Sequence, residues 1–143
     1  MFEPKATRPV TSPAAEVADR AYRGVLDDVS AMLAAAYGLG RFSEATRGTG
    51  TCSTQPLAYA YTYQVDADGA VADADFAAAL DRVAALVAPH GFTERAIVRD
   101  APGSHHVVLG RADGATLSLS SAERTVLTLE GGCHPVDGAV GTP

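Results

Sequence analysis

The chain has no tryptophan, a single lysine and only two cysteines among its 143 residues. Positive charge is also scarce, because 17 acidic and 11 basic side chains give a net charge of −6. Binding of a phosphate backbone requires a basic surface, so we do not expect nucleic acid as a partner. No apolar run approaches the ~18 residues of a membrane span, and residues 1–13 lack the hydrophobic core of a signal peptide. The sequence therefore predicts neither a nucleic-acid-binding nor a membrane-spanning protein.

The two cysteines, Cys52 and Cys133, bracket most of the strand-like sequence. There is no third cysteine and no Cys-x-x-Cys spacing, which disfavours a metal site. The pair predicts one structural disulfide, and with it an oxidising, extracytoplasmic compartment. The lack of an export signal agrees with this location if the signal has been removed and Met1 introduced in its place. The alternative is a cytoplasmic α+β interaction domain with two free thiols.

The pattern of residues predicts one domain with two flexible ends. Residues 1–11 contain Pro4 and Pro9 and no apolar period, which is typical of an extended tether. Residues 12–137 have the length and apolar content of a single domain. Residues 138–143 are expected to form a flexible tail.

Two amphipathic helices are indicated by apolar residues at spacings of three and four. Ser12 as the N-cap and Pro13 as the first helical residue predict where the first helix begins. Its apolar stripe consists of Val17, Ala21, Val25, Val29, Met32, Leu33 and Ala36. Asp73 is expected to cap the second helix. The stripe of that helix consists of Phe76, Leu80, Val83 and Val87.

Alternation of apolar and small residues over residues 57–65 predicts a strand. One face of this strand carries Leu57, Tyr59, Tyr61, Tyr63 and Val65. The preceding residues 41–56 are rich in Gly, Ser and Thr. They predict at most a short edge strand.

Three hairpins are predicted after the second helix, and their loops define the register. A three-residue loop with a left-handed Gly114 sets Leu109 opposite Leu117. A two-residue turn would instead direct part of the apolar set to solvent. The same reasoning pairs Arg111 with Ala115, Val107 with Leu119, Leu119 with Leu127, Leu117 with Leu129, Val98 with Val107 and Glu94 with Arg111.

The order of elements predicts an α+β domain in which two helices pack on one face of a mainly antiparallel sheet of about five strands. This arrangement is a two-layer sandwich. A bond between Cys52 and Cys133 favours the strand at 57–65 and the last strand as antiparallel neighbours. Such a bond closes a long loop and, in the chain-entropy description, stabilises the domain by about 4 to 5 kcal/mol.

The closing sequence of residues 127–135, Leu-Thr-Leu-Glu-Gly-Gly-Cys-His-Pro, with the helix exit at Gly91 and Phe92, resembles the small secreted cell-envelope lipoproteins of actinobacteria. Ten arginines to one lysine agree with a high-GC genome. The similarity covers residues 12–135 and implies an extracytoplasmic location, with a lipid anchor in the untrimmed precursor. The cysteine that such proteins carry at the mature N-terminus is absent from this sequence. Many members of these families have no assigned activity, so the resemblance implies no catalytic residues.

No motif in the chain predicts catalysis, a metal or a cofactor. His105 and His106 are adjacent on a strand, so their side chains point to opposite faces and cannot hold one metal ion together. Zinc usually takes three or four ligands, and the chain has four scattered histidines. A cysteine in a disulfide offers no thiolate for nucleophilic attack. A small secreted hydrolase or other enzyme remains the alternative function.

The row of Tyr59, Tyr61 and Tyr63 is the most distinctive surface that the sequence predicts. The simplest interpretation is core packing under the helices, with the hydroxyls at the rim. The alternative is a groove for an apolar or glycan-like ligand, with Arg99 or His105 at its edge. We therefore expect a non-catalytic envelope module, monomeric, that binds a small ligand or an envelope protein.

Overall fold

Two helices lie on one face of an antiparallel sheet in the computed structural model, which describes residues 9–136. The helices are α1 (Ala15–Tyr37) and α2 (Asp73–Val87), and a 3-10 turn (Ala88–His90) follows α2. The strands are β1 (Ser43–Thr54), β2 (Leu57–Ala67), β3 (Glu94–Ala101), β4 (Ser104–Gly110), β5 (Thr116–Ser121), β6 (Thr125–Glu130) and β7 (His134–Pro135). The predicted α+β class is confirmed, although the sheet has seven strands instead of about five. No helix in residues 9–136 is long and apolar enough to cross a membrane.

The strands are ordered β1-β2-β6-β5-β4-β3, and β7 pairs with the free part of β2. This order confirms that β2 and the last long strand are antiparallel neighbours. The registers of the β4–β5 and β5–β6 hairpins are also confirmed, with Leu117 opposite both Leu109 and Leu129. These leucines are buried because every second residue of β4, β5 and β6 faces the helices.

The register predicted for the β3–β4 hairpin is correct only near its turn. Asp100 lies opposite His105 as the loop requires, but a bulge at Val98 shifts the rest of β3 by one residue. Ile97 therefore takes the place opposite Val107 that the sequence assigned to Val98. The bulge inserts one unpaired residue and bends the strand.

The first helix begins at Ala15 instead of Pro13, and Ala14 at its N-cap position makes no side-chain capping bond. The predicted stripe is correct for Val25, Val29 and Leu33. The remaining buried residues of α1 are Ala15, Ala18, Tyr22 and Leu26, while Val17, Ala21 and Ala36 are exposed. The buried face of α1 is therefore rotated relative to the predicted stripe, because Tyr22 enters the core.

The segment before β2 is a full strand of 12 residues, not the short strand that was expected. Nearly all of β1 is exposed, and its residues lack the apolar alternation that reveals a half-buried strand. Its pairing with β2 runs from Ser43 opposite Asp66 to Thr54 opposite Leu57.

The disulfide between Cys52 and Cys133 is present, with Cα atoms 5.9 Å apart. It joins β1 to the segment that leads from β6 to β7. Val10 forms a parallel bridge with Cys133, and the Thr11 N–H donates to the Cys133 carbonyl at 2.9 Å. Two residues assigned to the tether thus pair with the domain. Residues 1–8 of the tether, and the tail at 138–143, lie outside the described residues.

Candidate functional site

His105 occupies the helix-facing side of β4, where two aspartates hold it. Its Nδ1 lies 2.7 Å from Oδ1 of Asp100, and its Nε2 lies 2.7 Å from Oδ1 of Asp73. The Phe76 ring stacks on the imidazole with centroids 4.4 Å apart and planes 15° from parallel. His105 is only 7% exposed. His105 is thus held on three sides, and we refer to His105 with Asp73 and Asp100 as the histidine clamp.

The two carboxylates favour the charged form of this imidazole. A carboxylate only accepts hydrogen bonds, so each ring nitrogen must carry a proton to donate one. The hydrogen bond to Asp73, helped by the second one to Asp100, raises the pKa of His105 above its ordinary value. The geometry and the raised pKa both favour the imidazolium form of His105, in which each ring nitrogen donates to a carboxylate.

The geometry of Asp73 follows from the two segments that meet there. Asp73 is the first residue of α2, following Ala72 at the N-cap position, so it does not itself cap the helix as expected. Its Oδ1 accepts a 2.8 Å hydrogen bond from the Gly103 N–H in the β3–β4 turn. That backbone hydrogen bond, followed by the one from His105, lowers the pKa of Asp73. One carboxylate thus connects the start of α2 to the tip of the hairpin.

A groove of about 310 Å³ opens beside the clamp, between α2 and the edge of the sheet. Its apolar wall consists of Phe76, Ala77, Leu80, Ile97 and Val107. Its charged groups are Asp73, Asp81, Asp100, Arg95 and His105. Three carboxylates outnumber Arg95 and His105, so the groove has an excess of negative charge even when His105 is protonated.

The structure does not bring the five predicted ligand-binding residues together. The three tyrosines lie on β2, and two strands separate β2 from His105 on β4. Three strand spacings amount to about 14 Å. Arg99 lies opposite His106 on the sheet face away from the helices, where its Nη1 is 3.5 Å from the Ser104 hydroxyl. A ligand of small size contacts only one of these three places.

The tyrosine row lies on the helix-facing side of the sheet. Tyr63 is 2% exposed, and its hydroxyl donates to a carboxylate oxygen of Asp19 on α1. Burial, followed by this hydrogen bond, raises the pKa of Tyr63. Tyr61 is half-buried and stacks on Tyr63 with centroids 6.3 Å apart, while half-buried Tyr59 lies opposite His134. Tyr63 is a core residue, and the outer two tyrosines extend toward the surface.

A second buried polar cluster was missed by the sequence analysis. The Tyr22 hydroxyl lies 2.5 Å from Nε2 of His134 and accepts hydrogen bonds from Arg111 at 2.6 Å and from the Gly132 N–H at 3.0 Å. The guanidinium of Arg111 stacks over the Tyr22 ring and is held by two bonds of 2.7 and 2.8 Å to Asp113. Its members come from distant segments, so no local pattern reveals it.

The cluster fixes the tautomer of His134. Nδ1 lies 3.0 and 3.1 Å from the carbonyl oxygens of Thr11 and Pro13, which can only accept, so Nδ1 carries the proton. Nε2 then accepts from the Tyr22 hydroxyl. Burial lowers the pKa of His134 despite these carbonyls. The polar groups of the cluster hydrogen-bond to one another and to the carbonyls of Thr11 and Pro13. The cluster thus has a structural role, because it joins both ends of the described chain.

Residues 9–136 contain no group of three or more His, Cys, Asp or Glu side chains placed to hold a metal ion. His105 and His106 point to opposite faces of the sheet, as their adjacency predicts: His105 contacts α2, and His106 lines a shallow surface on the other face.

A lipoprotein family model matches residues 7–135, which is most of the chain and includes both the histidine clamp and the disulfide. The chain belongs to this family, LppA, described as a lipoprotein confined to pathogenic Mycobacterium. Membership of a lipoprotein family implies an extracytoplasmic location in the cell envelope, and the resemblance to small actinobacterial lipoproteins is confirmed.

Two crystal structures share the fold. The lipoprotein LppA from Mycobacterium tuberculosis is 13% identical, with a TM-score of 0.70 over 92% of this chain and 83% of that one. A DUF4853 family protein from Actinomyces odontolyticus is 14% identical, with a TM-score of 0.53 over 90% of this chain and 76% of that one. A search of the curated proteins gives no match.

Proposed function

We propose that the domain is a non-catalytic binding module of the cell envelope, and that its groove beside His105 takes a small apolar ligand with a cationic end. A lipid anchor before the tether would hold the module at the membrane surface. The observation that carries the proposal is the aspartate–histidine–aspartate clamp at one end of an apolar groove. The volume of about 310 Å³ lies at the small end of the range for ligand pockets.

The class of ligand follows from the lining of the groove. Phe76, Leu80 and Ile97 offer apolar contacts to a ring or a short alkyl group. The carboxylates of Asp73 and Asp100 are 54% and 63% exposed, so each has free oxygen surface for a further donor. The excess negative charge of the groove favours an ammonium group over a carboxylate at this end.

The state of the histidines argues against an enzyme. General base catalysis needs a nitrogen that can receive a proton, and both nitrogens of His105 lie 2.7 Å from carboxylate oxygens that favour their protonated form. The nitrogens of His134 contact Tyr22 and two carbonyls. Between residues 9 and 136, no serine or cysteine side chain is hydrogen-bonded to a histidine ring nitrogen, and both cysteines are in the disulfide. A nucleophile with an activating base is therefore not assembled.

The proposal is tested with three matched probes: benzylamine, benzyl alcohol and benzoate. Each is titrated into the ¹⁵N-labelled protein while amide chemical shifts are recorded. We expect benzylamine to cause saturable shifts at Ala77, Ile97 and His105, benzyl alcohol to bind more weakly, and benzoate to cause none. Equal affinities for the three probes would contradict a cation-selective groove.

The matched variants are Asp100→Asn in the groove and Asp28→Asn on the exposed face of α1, which remove the same charge. Losing one exposed ion-pair partner should weaken benzylamine binding about two- to fivefold in Asp100→Asn. Binding should be unchanged in Asp28→Asn. If both variants weaken binding equally, the effect is one of net charge and the proposed site is wrong.

A further inference from the structure

Strand β3 is an open edge of the sheet that carries exposed apolar side chains. Among residues 9–136 it pairs only with β4, and every one of its residues is exposed. Ile97 and Val98 are 63% and 59% exposed, more than any other large apolar residue in the described range. An edge strand with unpaired backbone groups and exposed apolar residues is a template for pairing with another strand.

The charges on β3 are arranged almost symmetrically about Ile97 and Val98. The sequence of the strand is Glu-Arg-Ala-Ile-Val-Arg-Asp-Ala. When two such strands pair antiparallel with Ile97 opposite Val98 of the second copy, Arg95 lies opposite Asp100 of that copy. Two-fold symmetry makes this ion pair occur twice. The strand is thus complementary to itself.

The bulge at Val98 makes this register sterically consistent. Opposed residues of an antiparallel pair must lie on the same face of the sheet. In a regular strand Arg95 and Asp100, five positions apart, would lie on opposite faces. Arg95 pairs with Leu109 and Asp100 with His105, both on the helix-facing side, because the bulge inserts one residue between them.

The outer face of the strand obeys the same register. Ala96 and Arg99 lie opposite Val108 and His106, both on the face away from the helices. In the register described above, Ala96 would lie opposite Arg99 of the second copy. The register in which Ile97 faces Ile97 would oppose Glu94 to Asp100, which lie on different faces, and it would form no Arg95–Asp100 pair.

We propose that β3 is the interface of a homodimer, in which two copies pair antiparallel through this strand and join their sheets. This departs from the monomer that the sequence favours. The two-fold axis runs perpendicular to the sheet, so both α2 helices lie on the same side and the two grooves beside His105 meet across the joint. The dimer does not depend on a ligand in those grooves.

The first test is the mass of the whole protein in solution, measured by sedimentation velocity at concentrations up to about 1 mM. We expect a concentration-dependent dimer that Ile97→Lys abolishes. The matched control is Leu57→Lys, which replaces another exposed apolar residue, 40% exposed, on β2. It should leave the dimer intact. A monomer at all concentrations, or an Ile97→Lys protein that still dimerises, would overturn the proposal.

The second test addresses the register by charge exchange. Arg95→Asp and Asp100→Arg should each weaken dimerisation at least about tenfold, because each places two like charges opposite one another. The combination of both substitutions should restore it. Circular dichroism melting shows whether each variant is folded. A double variant that is folded but no more dimeric than the single ones would overturn the register.

The third test uses disulfide cross-linking, so the charged residues of the groove stay unchanged. Ala96→Cys with Arg99→Cys should form a covalent dimer on mild oxidation, since these positions are opposed across the copies. Ala96→Cys with Ala101→Cys lies on the same outer face but is out of register, and should form little. Equal cross-linking of both variants would contradict the proposed pairing. These experiments measure mass, so a negative result is distinct from failure of ligand binding.

Discussion

A Cβ atom on Gly131 would lie 2.6 Å from Cε2 of the Tyr22 ring. The missing side chain lets Tyr22 approach the backbone between β6 and β7, where it reaches His134 and the Gly132 N–H. A Cβ on Gly132 would similarly lie 2.8 Å from a carboxylate oxygen of Asp113. The two glycines of the Gly-Gly-Cys-His sequence that carries the family resemblance thus make close structural contacts, with Tyr22 of α1 and with Asp113.

Gly131→Ala should destabilise the domain by about 1 to 3 kcal/mol, because the buried ring must move to admit a methyl group. The measurement is urea denaturation followed by circular dichroism. Gly48→Ala is the control, since a Cβ there meets nothing within 4 Å. It should leave the free energy of unfolding unchanged or slightly higher. Equal midpoints for the two variants would show that the Tyr22 approach is not tight.

Replacing Cys52 and Cys133 together by Ala should lower the free energy of unfolding by about 4 to 5 kcal/mol, because the bond closes a long loop in the unfolded chain. The two cysteines are 81 positions apart. The fold should remain recognisable by circular dichroism at low temperature. Titration of the denatured, unreduced protein should find no free thiol. Two thiol equivalents would contradict both the bond and its consequence for stability.

The two buried histidines should make the free energy of unfolding depend on pH in opposite directions. The pKa of His134 is lowered in the folded state, so its contribution is lost as the pH falls below about 6.5, where the unfolded chain takes up a proton. The pKa of His105 is raised, so its contribution is complete below about 6.5 and is lost as the pH rises through the folded pKa.

The loss of stability toward low pH (the acid limb) and the loss toward high pH (the alkaline limb) are separated with two variants. The free energy of unfolding of each is measured between about pH 5 and 8. His134→Gln should flatten the acid limb, and His105→Gln should flatten the alkaline limb. Each variant serves as the control for the other. A loss of stability toward acid pH that persists in His134→Gln would assign this loss to carboxylates and would contradict the lowered pKa of His134.

Tyr63→Ala should cost about 3 to 5 kcal/mol of stability, the usual range for a fully buried aromatic residue. Tyr61→Ala should cost less, because that ring is half-buried at the rim. Neither substitution should abolish benzylamine shifts at His105, which lies three strands away. Loss of those shifts in a folded Tyr61→Ala protein would restore the tyrosine row as a ligand site.

Local patterns predicted the parts of the fold in which apolar residues alternate. The register of β4, β5 and β6 follows from leucines that must all face the core, as at Leu109 and Leu117. The disulfide then ordered β2 beside β6. The length of β1 was underestimated because the strand is exposed and carries no apolar alternation. The bulge at Val98 was missed because both Ile97 and Val98 are apolar and neither is buried.

The candidate site was predicted only in part, because it depends on tertiary contacts. His105 was chosen from the sequence, but Asp73 lies 32 positions away and was interpreted as a helix cap. The histidine clamp forms because the fold brings the β3–β4 turn next to the start of α2. The tyrosine row could be recognised by its alternation, whereas its burial depends on where α1 lies.

The pairing of Val10 with Cys133 determines how mechanical force would enter the molecule. Tension applied through the residues before Val10 reaches the domain at a backbone bridge to Cys133, whose sulfur is bonded to Cys52 on β1. Part of the load therefore passes through this hydrogen-bonded bridge to a segment that is cross-linked to β1, and the rest follows the backbone into α1. When the domain is held by that end, we expect tension to reach β1 through the disulfide as well as α1 through the backbone.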